Sequence, residues 1–467
     1  MKTTTARRLS ALLRSPAVRY RLGIEGGEVV TPTGRRRANV YVDDGRIVAV
    51  GDVRESADEV VDASGLLVLP GMVDAHVHLM DPADTSREDF PTGTAAALRS
   101  GVTTIVEHTH ARPVVGAAEL EEKRAYLTGR SRTDFGLAAH AWPDRLEEVA
   151  AVWAAGATFV KAFTCTTHGV PGFERDNLRS LFETASLCGA VCLLHCEDEQ
   201  LTREAERELR AAGRDDGGVV PAWRNRGAEL AALRAASEAA AAAGAHAVAA
   251  HVSSVQALHA ANGLIVETCP QYLTLLEDEV LVEGPLRKFT PPARARTAAE
   301  LDDMWRALAD ARIDYVASDH APSTVAQKQG GSIWDVHFGL PGLDTTLAVL
   351  LDGAAAGRLS YERVTEVYSE RPARLYGLWP SKGRLGAGAH ADIVLVDPNE
   401  RWRVRNEDIV SKAGWSPFAG RSLVGRAVQT YLRGNLVAEA GRVIGEPGLG
   451  RFLVGEGGRP NPSQPRC

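Results

Sequence analysis

Cysteine is scarce in this chain: six residues in 467, with no C-x-x-C pair anywhere. That count and spacing exclude a disulfide framework and a zinc ribbon. Cys188, Cys192 and Cys196 fall four apart, but the last two lie in the apolar run VCLLHC and read as small buried residues of a reducing compartment. No apolar run reaches membrane-spanning length, which leaves no helical anchor to assign. An excess of positive charge is also missing. The net charge is −7, so neither a nucleic acid nor an anionic membrane is expected as a partner. Arg7-Arg8 hints at a twin-arginine export signal, yet Arg14 and Arg19 interrupt the following stretch and no small-residue cleavage site follows. Residues 1–20 therefore read as a basic tail, and a cytoplasmic location is expected. Finally, no G-x-G-x-x-G follows an early strand, which argues against a doubly wound dinucleotide-binding sheet.

What is present divides into three parts. Two β-rich segments, residues 21–68 and 382–443, carry alternating apolar residues and short turns, among them Asp44-Gly45 and Arg433-Gly434-Asn435. Neither is long enough for its own core, so the two are expected to pair into one small β-sandwich split by an inserted domain. Residues 444–467 read as a C-terminal tail. Between the β-rich segments, residues 69–381 alternate short β-branched runs with Ala-rich helical stretches, and eight strand candidates can be counted. That pattern predicts an α/β fold built on a (β/α)₈ barrel.

Polar residues end those strands. His76 and His78 close the first, Lys161 lies in the fourth, His195 ends the fifth, His251 the sixth and Asp319 the eighth. In such barrels the C-terminal strand ends form the active-site face, so residues of metal-ligand type fall on one rim. A spacing of two puts both imidazoles of His76-x-His78 on one side of an extended strand, and neutral imidazoles suit zinc-like ions. Alone the motif is weak, and His195 and His251 taken singly read as core histidines. Lys161, in the apolar run ATFVKAFT, has two readings: its stem reaches solvent at the strand end, or burial near cations lowers its pKa so that the neutral amine adds carbon dioxide to form a carbamate. Asp319, followed by His320, is a strand-end carboxylate able to bind metal and move protons.

In this order, the segments GMVDAHVHL, FVKAFT, LLHCED, AHVSS, TCPQYLTL, VASDHAPST and KGRLGAGAHADIVLVDP resemble the amidohydrolase superfamily in its cyclic-amidase branch of hydantoinases, dihydropyrimidinases, allantoinases and dihydroorotases. The resemblance implies two divalent ions, zinc first, with His76, His78 and Asp319 on one and His195 and His251 on the other, bridged by N6-carboxylated Lys161. It implies a hydrolase that opens a cyclic amide by attack of a metal-bridging hydroxide, with Asp319 passing the proton to the departing ring nitrogen. A homo-oligomer, dimer or tetramer, is expected, with a small-molecule cyclic amide as the substrate.

Departures narrow the substrate. Dihydroorotases carry arginine two residues after H-x-H, where this chain has Met80, and an M-P-N-T after the second strand, where it has EHTHARP around His108 and His110. Hydantoinases carry tyrosine five residues after the lysine, where Thr166 stands. SDHAPST is closer to allantoinases, while EDFPTGT and TCPQYLTL are closer to hydantoinases. Met80, His108, His110, Thr166, His168 and His320 are the candidate substrate-pocket residues. The preferred reading is thus an allantoinase- or hydantoinase-like ring hydrolase. A dihydroorotase-like enzyme and a non-catalytic relative acting in assembly are the alternatives.

Overall fold

In the computed structural model, which describes residues 19–459, eight short strands carry the central architecture. They are β1 (Met72–Val77), β2 (Val102–Glu107), β3 (Asp134–Leu137, resumed at Ala139–His140), β4 (Val160–Phe163), β5 (Val191–His195), β6 (His246–Ala249), β7 (Ile265–Thr268) and β8 (Tyr315–Val316). Each pairs in parallel with its sequence neighbour. A parallel bridge between Val77 and His320 returns the end of β8 to β1, closing a (β/α)₈ barrel. Strands covered on both faces read as continuous apolar runs, and β1, β2, β4 and β5 are buried along their whole length.

The helices explain the alternation seen in the sequence. Arg226–Ala243, for example, starts where Asn225 accepts from the Ala228 N–H and stops at Gly244, whose φ of 62° supplies the left-handed C-cap. Its buried face is Ala228, Glu229, Ala232, Leu233, Ala236 and Ala240, a helical stripe of mostly small residues that lets the helix lie close on the barrel.

The flanking segments meet in sheets of their own. Leu67–Pro70 pairs antiparallel with the start of Ile393–Arg403, so a seven-stranded sheet is shared by the two ends of the chain. A four-stranded sheet from the N-terminal segment packs over it, and Leu22, Ile24, Val40 and Val42 meet Ile393, Leu395 and Tyr431 in a separate apolar core. Two expectations for the tails change. Arg19 and Tyr20 already belong to a strand, Arg19–Glu25; residues 1–18 and 460–467 lie outside the described residues. The segment after residue 444 does not trail away: the Phe135 N–H donates to Arg451 O at 3.0 Å and the Leu453 N–H to Phe135 O at 2.7 Å. Gly455 permits this approach, since a Cβ there would sit 2.1 Å from Ala157 O.

Barrel and sandwich are joined by buried charge. Lys382 Nζ donates to Asp134 Oδ2 at 2.6 Å and also to Asp392, while Arg433 pairs with the other oxygen of Asp134. Asp134 is on β3 of the barrel; Asp392 and Arg433 flank strands of the shared sheet. Burial pushes the Asp134 pKa up, but Lys382 and Arg433 outweigh it and hold it below the usual carboxylate value. Asp134 therefore contributes stability that is present above about pH 4 and is lost as pH falls through its lowered pKa. Removing one partner of a buried ion pair strands the other, at about 3–5 kcal/mol. Lys382→Met should accordingly lower the urea midpoint strongly at pH 7, with a deficit that shrinks below about pH 5 as the stranded carboxylates take up protons. An equal deficit at both pH values, read from urea denaturation curves, would show that the charge network does not act as argued.

Candidate metal centre

The C-terminal ends of the barrel strands deliver their polar residues to one cavity. His76 ends on β1 and His78 lies just beyond it, both almost fully buried. His76 Nε2 is 3.2 Å and His78 Nε2 3.3 Å from the same oxygen of Asp319, Oδ1. The outer nitrogens are held from behind. His78 Nδ1 lies 2.9 Å from His108 O, and His76 Nδ1 2.7 Å from Glu267 Oε1. A carbonyl can only accept, so His78 Nδ1 donates to it and Nε2 is turned toward Asp319. Burial, reinforced by Lys161 and the neighbouring histidines, lowers the His76 pKa well below its ordinary value, leaving a neutral imidazole of the kind that binds zinc-like ions.

The second half of the site is a pair of buried histidines. His195 Nδ1 faces His251 Nε2 at 3.1 Å, while His195 Nε2 lies 2.8 Å from Glu197 Oε2. Burial pushes His195 down, but its contacts with Cys165 and Glu197 outweigh this and raise it to about 9. Burial likewise drives Glu197 up, and Arg224 with His195 overcomes it, holding the carboxylate at about 2. Glu197 is thus an anion that orients His195, and it also accepts from Arg224 at 3.2 Å and Thr290 Oγ1 at 2.6 Å.

Lys161 stands between the halves. Its side chain is 1% exposed, and its Nζ has no hydrogen-bond partner among the described residues. Burial lowers its pKa, with Glu267 and Asp319 pulling the other way. The donor set of imidazoles, a carboxylate and an orphaned amine fits divalent ions of the zinc class and fits poorly with the calcium class, which takes mostly oxygen. His76, His251 and Asp319 each place one donor atom within 4.8 Å of the others.

Several positioning residues were not singled out in the sequence. Glu267, on β7, accepts from Tyr315 Oη at 2.7 Å and from the His251 N–H at 3.0 Å; burial, against the pull of Lys161, raises it to about 8. Asp74 on β1 accepts from the Ser318 N–H at 3.1 Å and from Tyr368 Oη at 2.7 Å, fixing the turn that carries Asp319. The available signal was a carboxylate inside each of the apolar strands VDAHV and IVETC. Asp319 and His251 have φ of 48° and 40°, a region non-glycine residues rarely enter and one that clusters at functional sites.

The pocket residues expected from the sequence divide. His110 and His168 line the cavity with Phe163, Thr167, Thr290 and Phe338. His108 lies buried beneath them, its ring 4.6 Å from that of His76 and 4.3 Å from that of His78. Met80, Thr166 and His320 do not reach the cavity. The Met80 sulfur accepts from Thr109 Oγ1, Thr166 is exposed with its N–H on Glu199, and His320 Nδ1 accepts from the Gly342 and Leu343 N–H groups. The cavity holds about 30 Å³, room for ions and a water or two, with Phe338 and Gly339 of a covering segment in its lining.

Comparison with known proteins agrees with this geometry. Residues 67–437 match the amidohydrolase family. The allantoinase of Rubrobacter xylanophilus is 36% identical over 93% of this chain and 97% of its own length. The dihydroorotase of Halobacterium salinarum is 35% identical over 88% of this chain and 95% of its own. The solved L-hydantoinase (dihydropyrimidinase) from Arthrobacter aurescens superposes with a TM-score of 0.88 at 30% identity, covering 93% of this chain and all of that one.

Glu267 provides a direct test of the support behind the donors. Loss of a group that orients a ligating histidine lowers metal affinity by about ten- to a hundredfold. Glu267→Ala should therefore give up zinc to a chelator at a concentration ten or more times lower than the unaltered protein requires, as followed by elemental analysis. Equal retention would mean that Glu267 does not orient His76.

Proposed function

The chain belongs to the amidohydrolase family, and we propose that this member is an allantoinase- or hydantoinase-like enzyme that hydrolyses a C–N bond of an uncharged cyclic ureide or imide. It is a hydrolase of cyclic amides, as its relatives are. The observation that carries the reading is the convergence of four buried imidazoles and the Asp319 carboxylate, His76 and His78 beside Asp319 and His195 beside His251, around an unpartnered Lys161.

His76, His78 and Asp319 would hold one divalent ion, preferably zinc, and His195 with His251 a second. Lys161 would join them as a carbamate: its neutral amine attacks carbon dioxide, an N–C bond forms, and the amine proton is released. When bound, the ions polarise the ring carbonyl and lower the pKa of water, so that hydroxide is available near neutrality. Asp319 takes the proton of the attacking water and delivers it to the ring nitrogen as the C–N bond breaks, leaving an acid at one end and a carbamoyl, ureido or amide group at the other. Arg224 acts at a distance by keeping Glu197 ionised, and so His195 oriented.

The dihydroorotase-like alternative needs a cation for the substrate carboxylate. Met80, at the position in question, is buried away from the cavity, and Lys161 is the only lysine or arginine among the described residues that line it. No helix among the described residues is long and apolar enough to cross a membrane. Unpaired Cys165, Cys188, Cys192, Cys196 and Cys269 suit the cytoplasm, and a dimer or tetramer is the assembly we propose.

Turnover should be measured with zinc-loaded protein in bicarbonate on hydantoin, dihydrouracil, allantoin, succinimide and dihydroorotate. An uncharged ring should show the highest kcat/KM; dihydroorotate in first place would overturn the ranking. Asp319→Asn keeps an oxygen toward the ion and removes the base. It should retain metal by elemental analysis while kcat falls on the order of a hundredfold or more. Turnover within a few-fold of the unaltered enzyme, with metal intact, would exclude Asp319 as the proton carrier.

A further inference from the structure

Between the metal donors and the covering segment lies a series of rings that the reaction itself does not use. The ring of His110 is 4.2 Å from that of His78, and on its other side it stacks on His168 at 4.5 Å with planes 3° apart. The edge of His168 in turn meets Phe338 at 6.1 Å and 89°. His110 follows β2 and His168 lies in the loop after β4, so two separate loops are brought together here. Both histidines line the cavity. His168 has φ of 55°, a strained conformation retained where the surroundings demand it. His110 Nδ1 is buried and has no partner among the described residues, which costs free energy unless a ligand supplies one.

Resting on the reading of the chain as a cyclic amide hydrolase, we propose that His110 and His168 are specificity-determining residues that receive a planar, uncharged exocyclic amide or ureido group on the substrate ring. The chemistry follows from the lining. A neutral imidazole presents one donor and one acceptor, and two stacked imidazoles present a flat polar surface. Thr167 adds a hydroxyl beside them, and apolar area is confined to Phe163, Phe338 and Ala321. A carboxylate substituent would find no free cation at this wall, and an aryl substituent would leave His110 Nδ1 buried and unpaired. An amide or ureido group pairs with His110 Nδ1 and lies flat beside the stacked rings. Sites built to hydrogen-bond a substituent discriminate strongly against analogues that lack it.

The test compares three substrates that share one ring: hydantoin, 5-ureidohydantoin and 5-benzylhydantoin. The unaltered enzyme should prefer the ureido compound by kcat/KM. His168→Asn is the informative variant, because asparagine tolerates φ near 55° and removes the ring. It should cut the ratio of ureido to unsubstituted kcat/KM by about tenfold, the scale of one or two lost hydrogen bonds, with the change mainly in KM. His110→Asn should act in the same direction. Calorimetric binding of the ureido compound to Asp319→Asn, with and without His168→Asn, reads the same contact without turnover and should weaken by a similar factor. A benzyl preference in the unaltered enzyme, or an unchanged ratio and unchanged binding in the variants at full metal content, would overturn the assignment and leave the cyclic-amidase reading standing. Failure of the zinc-loaded enzyme to open any ring would count against that broader reading, and the calorimetric comparison would still decide this one.

Discussion

The rim of this barrel depends on one constraint: imidazole and carboxylate groups able to hold a cation are gathered in a buried space and must be held from behind to stay aimed at it. His78 Nε2 lies 3.3 Å from Asp319 Oδ1, and His195 Nδ1 3.1 Å from His251 Nε2. Glu267 is fixed by Tyr315, whose hydroxyl also meets Tyr376 at 2.7 Å, and Asp74 is fixed by Tyr368. These tyrosines are buried and bring hydrogen-bonding groups beneath the site without bringing charge. The scaffold thus orients the donors from behind.

Preorganisation has a local cost. Asp319, His251, His168 and Met80 all adopt positive φ, each at about 1–3 kcal/mol. The compensation lies elsewhere in the chain, in the barrel core and in the Asp134–Lys382–Asp392–Arg433 network that binds barrel to sandwich. Strain at the strand ends and rigidity at the domain junction are thus two sides of one arrangement.

The fold was legible in the sequence because parallel strands buried on both faces leave long apolar runs, and a polar residue that interrupts the end of such a run is conspicuous. His76, His195, His251 and Asp319 were found in this way, and Lys161 by the improbability of its surroundings. Directions in loops were not legible. Thr166 and His168 are two residues apart and both are exposed, yet only His168, where φ is 55°, also lines the cavity. His320 follows Asp319 immediately, but its Nδ1 is taken by two backbone N–H groups on the far side of the barrel closure. The C-terminal segment read as a tail for lack of apolar periodicity; its contacts are backbone to backbone along β3, which a pattern of side chains does not reveal.

The cations around the mouth complete the argument about selectivity. Arg224 is committed to Glu197, and Arg87 Nε to Pro322 O and Ser323 Oγ at 3.0 Å each. Lys288 donates to Trp334 O and Val336 O, and Lys328 to three backbone carbonyls of the covering segment and its neighbour. Burial lowers the pKa of Lys288 to about 8 and that of Lys328 well below its ordinary value, so neither is a strong anchor for an anion. These lysines organise the cover, and the arginine charges are spent on orientation. With divalent ions held by the histidines and Asp319, the positive potential felt by a substrate would come mainly from them. At the distal wall the protein offers neutral imidazoles, and discrimination there must rest on hydrogen-bond matching and shape rather than on charge.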